Sequence, residues 1–151
     1  MVLVDTSIWV AYLRGTASPA TRRTLDSLLD EHDVALTPMI RLELLRGAAP
    51  QEAEELTRLL GGLHELPFER RHWQQADRFI MELRAKGLTP SIPDLLIATS
   101  AVEYGVPLYH RDAAFDAIAR HTELTVYRPA SARFPSSPAN APGKLIFIVT
   151  S

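Results

Sequence analysis

Val2-Leu3-Val4-Asp5-Thr6-Ser7-Ile8-Trp9-Val10-Ala11-Tyr12-Leu13-Arg14-Gly15 opens the chain as a strand, a polar turn and a helix. Three apolar residues end at Asp5, and the apolar run from Ile8 has helical length and closes at Gly15. Thr6 and Ser7 are predicted to cap that helix, their hydroxyls accepting free backbone N–H groups. The same unit returns as Val34 to Thr37 followed by a helix from Pro38 to Gly47. It returns again as Pro107 to His110 followed by a helix from Asp112 to Arg120, with a last strand at Leu124 to Tyr127. Between them the pattern predicts helices at Ser18–Glu31, about Pro50–Leu60, Glu69–Lys86 and Leu95–Tyr104. Along the Glu69–Lys86 helix, Trp73, Ala76, Ile80, Leu83 and Gly87 form the stripe expected to be buried. Alternating strands and helices imply an α/β fold, a sandwich with a central parallel sheet flanked by helices. Ligands in such folds collect beyond the carboxyl ends of the strands.

Composition narrows the chemistry. A chain of 151 residues suits one domain with a full core. Without cysteine there is no disulfide, zinc-thiolate site or thiol catalysis, which fits a reducing interior. His32, His64, His72, His110 and His121 lack the close spacing of a helical or hairpin zinc motif. No leader-like segment and no apolar run of about 18 residues occurs, so a soluble cytoplasmic protein with no membrane partner is expected. Beyond Pro129 the character changes: residues 131–151 pass through linker-like Ser136–Gly143 to the β-prone run Leu145–Val149. An edge strand, a contact segment and a stretch foreign to the domain are all open readings of this tail, which leaves residues 1–130 as the domain.

Asp5, Glu43, Asp94 and Asp112 each border an apolar run, and the predicted topology brings them towards one edge of the sheet. Singly, each has an ordinary role as a cap, a turn residue or half of an ion pair. Caps have no need to converge, however, and an acid in apolar surroundings requires a cation or hydrogen bonds. Hard divalent ions such as Mg²⁺ or Mn²⁺ take oxygen ligands and share them with substrate phosphate. The pattern therefore points to metal-dependent phosphodiester chemistry. Setting those four acids aside moves the formal charge from −2 to +2, and all basic residues but Lys86 and Lys144 are arginines. That bias suits phosphate contacts, although GC-rich codon usage produces it equally well. Arg22, Arg23, Arg46, Arg70, Arg71 and Arg111 are phosphate candidates, with Arg46 and Arg111 favoured by their place beside acids.

Val2-Leu3-Val4-Asp5-Thr6-Ser7, Glu43-Leu44-Leu45-Arg46-Gly47, Pro93-Asp94-Leu95-Leu96-Ile97-Ala98 and His110-Arg111-Asp112-Ala113-Ala114-Phe115 resemble, in this order, the motifs of PIN-domain ribonucleases. More narrowly the chain resembles the VapC toxins of bacterial toxin-antitoxin pairs, over about residues 1 to 130. The resemblance implies a PIN-like nuclease domain and Mg²⁺- or Mn²⁺-dependent cleavage of structured RNA such as tRNA or rRNA. It also implies a homodimer and neutralisation by a VapB-like antitoxin. Asp5, Glu43, Asp94 and Asp112 would be the catalytic metal-site acids, with Thr6 or Ser7 supporting them.

One position departs from the family pattern. Many members read Asp-x-Asp-Phe in the last motif, and Ala114 stands here in place of the second acid. Whether Ala114 is native or introduced, it should weaken one metal position and attenuate cleavage. Asp116, about 200° further round the helix, is a poor substitute and expected to face solvent. The alternative function is a silent module that binds antitoxin or RNA without cutting. A haloacid-dehalogenase-type phosphatase is disfavoured because Ser7 stands where its second Asp would be. A flap-type DNA nuclease would share the acids but is generally larger.

Overall fold

The computed structural model describes residues 1–130, so the tail at 131–151 lies outside the described residues. Four parallel strands, β1 (Val2–Val4), β2 (Val34–Leu36), β3 (His64–Glu65) and β4 (Leu108–Tyr109), lie in the order β3-β2-β1-β4. Val2 pairs with Val34, Leu3 with both Ala35 and Leu108, and Val4 with Tyr109. The two central strands are wholly buried, which is why they read as unbroken apolar triplets.

Among the described residues seven helices flank this sheet: α1 (Thr6–Leu13), α2 (Pro19–Asp30), α3 (Pro38–Gly47), α4 (Ala53–Gly61), α5 (Arg70–Ala85), α6 (Ile92–Tyr104) and α7 (Ala113–Ala119). Their starts follow local chemistry. Ser18, Thr37 and Ser91 cap α2, α3 and α6, each accepting a backbone N–H just inside a helix that opens with proline in its first turn. The C-terminus of α6 is closed by Gly105 in the left-handed conformation, φ 62°. This helix carries the central core run Leu95, Leu96, Ile97 and Ala98, and packs mainly on α5. None of the helices among the described residues is long and apolar enough to cross a membrane.

Three expectations are corrected. Asp5, and not Thr6 or Ser7, is the N-cap of α1: its carboxylate accepts the Ser7 N–H, which leaves both hydroxyls to bond elsewhere. The strand expected at Leu124–Tyr127 contracts to one parallel bridge between Val126 and Leu108, held by Leu108 N–H to Thr125 O at 2.9 Å and Tyr127 N–H to Leu108 O at 2.8 Å. On α5 the buried stripe is His72, Ala76, Phe79 and Leu83, while Trp73 is 56% exposed. His72 displaces Trp73 because its ring lies between Phe68 and Tyr104, and its Nδ1 accepts the Glu69 N–H at 2.9 Å. Strand β3, absent from the sequence reading, consists of two exposed polar residues paired with Ala35 and Leu36.

Candidate active site

Strand β1 ends at the one acid that the fold buries almost completely. Asp5 is 4% exposed, and its backbone N–H donates to Tyr109 O at 2.9 Å, so β4 fixes its height at the sheet's carboxyl edge. Its Oδ2 accepts the Ser7 N–H at 2.9 Å and the Ser7 hydroxyl at 2.5 Å. Burial pushes the Asp5 carboxyl above the usual carboxylate range; the Ser7 bonds oppose that shift and the charge of Asp94 adds to it.

Glu43 reaches the same region from the middle of α3, half-buried. The Thr6 hydroxyl donates to its Oε2 at 2.5 Å, tying the first turn of α1 to α3. Burial raises the Glu43 carboxyl as well; Thr6 and the nearby Arg46 lower it, and the charges of Asp5 and Asp94 raise it. No ion pair joins Glu43 to Arg46 among the described residues. Asp94 stands in the first turn of α6, where the helix N-terminus favours its charge. Capping there falls to Ser91, whose Oγ accepts the Asp94 N–H at 3.2 Å, so the Asp94 carboxylate is not consumed as a cap.

Three of the four predicted acids thus share one electrostatic neighbourhood, the charge of Asp94 acting on Asp5 and the charges of Asp5 and Asp94 on Glu43, with Arg46 on its margin. Asp112 is exposed and attached by another route. Ser7 Oγ, while donating to Asp5, accepts the Arg111 N–H at 3.2 Å across 104 residues of chain. That bond anchors the β4–α7 connection, where Asp112 caps α7 by accepting the Ala114 N–H at 2.9 Å. As they stand, no three His, Asp or Glu side chains among the described residues close to a ready-made metal cage.

Asp116 is not free in solvent as expected: it is half-buried, bonded by Arg128 at 3.2 Å, with His110 Nε2 at 3.8 Å. The sequence reading passed over His110, whose buried ring packs on Phe115. Its one available signal was adjacency to Arg111 and Asp112.

Known proteins resemble this chain in sequence and fold. The PIN domain family matches residues 2–121. Ribonuclease VapC11 of Mycobacterium tuberculosis is 38% identical over 128 residues, covering 82% of this chain and 96% of its own. Among solved structures, the crystal structure of VapBC2 from Rickettsia felis bound to a DNA fragment from their promoter matches with a TM-score of 0.69 at 22% identity, covering 84% of this chain and 98% of that one. Mycobacterium tuberculosis VapC20, a sarcin-ricin loop cleaving toxin, matches with a TM-score of 0.61 at 19% identity, over 83% of this chain and 99% of its own. These last two likenesses are of fold.

Proposed function

The chain belongs to the PIN-domain family, and within it to the VapC ribonucleases, and from that premise we propose that it is a toxin endoribonuclease that cuts structured RNA in a divalent-metal-dependent way. The observation that carries the metal requirement is the grouping of Asp5, Glu43 and Asp94, two of them buried enough to hold their carboxyls above the usual range. Hard oxygen donors that repel one another suit Mg²⁺ or Mn²⁺, whose binding would relieve both repulsion and desolvation. Asp5, Glu43 and Asp94 would hold the ion, with Asp112 contributing from the α7 side. A bound divalent ion supplies a nucleophilic water and neutralises charge developing on phosphate.

The chain's own residues prepare that chemistry. Ser7 turns Asp5 by a hydroxyl bond and fixes the Arg111 amide with the same oxygen. Thr6 orients Glu43. Arg46 and Arg111 would take phosphate oxygens of the RNA. A VapB-like antitoxin is the partner that this family membership brings, and a homodimer is its expected assembly. A second reading, binding without turnover, is favoured by Ala114: a methyl group stands in the first turn of α7 where the family commonly has an acid.

Incubation of total RNA and transfer RNA with Mg²⁺, Mn²⁺ or EDTA tests both readings. The unaltered chain is run beside Ala114→Asp and Asp5→Asn. Metal-dependent cleavage that Asp5→Asn abolishes supports the nuclease; intact RNA in every lane supports the binding module.

A further inference from the structure

A recess of about 680 Å³ has as its walls α2, the end of β4 and residues 126–130, and it reaches the acids through Arg111, the neighbour of Asp112 in the chain. Three arginines line it: Arg23 from α2, Arg111 from the β4–α7 connection and Arg128 from the chain beyond the Val126 bridge. The side chains of Arg23 and Arg111 have no acidic partner among the described residues, and Glu31 is the one acid in the lining. His110 lines it too. Its side chain is 3% exposed, and both ring nitrogens are buried without a hydrogen-bond partner. A neutral imidazole offers one donor and one acceptor, and leaving both unused inside a protein is costly. Tyr109 and Tyr127, meeting edge to face at 5.4 Å, form part of the wall.

We propose that this recess is an RNA subsite, taking a phosphate and the ribose or base edge of a nucleotide flanking the one cut at the acids. The phosphate falls to Arg23 and Arg111, with Arg128 joining them from its 3.2 Å bond to Asp116; their planar guanidinium groups match its oxygens. His110, whose Nε2 stands 3.8 Å from Asp116 Oδ1, has its Nδ1 left to bond a ribose hydroxyl or base edge once the ring is uncovered. RNA is favoured over a protein partner because the cations outnumber the acids and because Arg111 belongs to both places. Its amide is bonded through Ser7 to Asp5 and its side chain lines the recess. The inference rests on the ribonuclease reading for its substrate, and its test is separable from it.

Binding of a fluorescently labelled 12-nucleotide single-stranded RNA is followed by anisotropy in EDTA over a series of salt concentrations. The variants are Arg23→Ala/Arg128→Ala, His110→Gln, and Arg58→Ala on exposed α4 as a control for lost charge. Affinity should fall roughly tenfold in the double variant, and the slope of log K against log salt should shrink by about two, one per lost phosphate contact. His110→Gln should weaken binding with the slope unchanged, and Arg58→Ala should match the unaltered chain. With Mn²⁺ present, the double variant's loss in kcat/KM should appear in KM. Equal affinity and equal slope in the double variant overturn the proposal. So does unchanged RNA binding with lost neutralisation by the cognate antitoxin, which would make the recess a protein-docking surface. Failure of the ribonuclease reading looks different: RNA is bound in a salt-dependent way and never cut.

Discussion

The Thr6 hydroxyl donates to Glu43 Oε2 at 2.5 Å across 37 residues of sequence, so the helix that follows Asp5 also orients the acid arriving from α3. Removing that donor while keeping the shape isolates its contribution. Thr6→Val should cost about 1 kcal/mol of stability through the lost hydrogen bond. It should also free Glu43 to turn and raise its carboxyl further, since the Thr6 bond is the stronger of the two influences, with Arg46, that lower it. We expect metal affinity and cleavage to drop by about 10- to 100-fold, as is usual when an outer partner of a ligand is removed. Thr6→Ser should restore most of the activity. Cleavage rates across a Mn²⁺ series measure this, and equal rates for Thr6→Val and the unaltered chain would refute it.

Asp5 predicts opposite signs for stability and activity. Its folded carboxyl lies above the usual carboxylate range, chiefly because burial disfavours the charge. The folded state therefore binds the proton more tightly than the unfolded chain. The stability linked to that proton is fully present below the unfolded value and is lost as pH rises through the folded one. Asp5→Asn keeps an oxygen for the Ser7 bonds and carries no charge, so at pH 7 without metal it should melt higher than the unaltered chain. One kcal/mol corresponds to about 4 °C in a domain of this size. The gap should close towards pH 3 to 4, and cleavage should be absent at every pH. Thermal melts from acid to neutral pH in EDTA decide it; a lower melting temperature for Asp5→Asn at pH 7 contradicts the account.

What the sequence made legible was local. The strand–Asp5–helix opening, the Pro38 helix carrying Glu43 and the apolar helix that Asp94 precedes each depend on neighbours within a turn or two. The residues that escaped depend on distant partners. Strand β3 is two exposed polar residues whose only claim to the sheet is pairing with Ala35 and Leu36. His72 takes the core position expected of Trp73 because Phe68 and Tyr104 close on its ring from other elements. The expected convergence of acids was likewise legible in part. Asp5, Glu43 and Asp94 come together through strand and helix ends, whereas Asp112 joins through a Ser7–Arg111 bond that no spacing in the sequence announces.

Metal binding should be tied to pH through the same acids. An ion held by Asp5 and Glu43 must displace their protons, both retained to higher pH than usual because of burial. Affinity for Mn²⁺ should therefore strengthen from pH 5 to 7.5. At 100 times the dissociation constant the ion should add about 2.7 kcal/mol of stability. Asp5→Asn should lose this shift, and EDTA should reverse it in the unaltered chain. Differential scanning fluorimetry with a Mn²⁺ titration at two pH values checks the point; an affinity that weakens with rising pH would remove Asp5 and Glu43 from the ligand set.

Ala114 offers the gain-of-function test. Its amide already donates to Asp112 Oδ1 at 2.9 Å, so an acid introduced there begins beside Asp112 and in the first turn of α7. The helix N-terminus favours a negative charge at that point by about 0.3–1 kcal/mol, which offsets repulsion from Asp112. Ala114 is half-buried, next to exposed Asp112 and Ala113. Ala114→Asp should lower the Mn²⁺ concentration needed for half-maximal cleavage by about tenfold or more, the scale on which ligand support alters metal affinity. Ala114→Asn should gain little, because it adds an oxygen without the charge. Rates for the three proteins over a Mn²⁺ series separate charge from shape. If the Asp and Asn variants behave alike, Ala114 is not the attenuating position, and weakness of the unaltered chain has to be sought in Asp112 and its hold on α7.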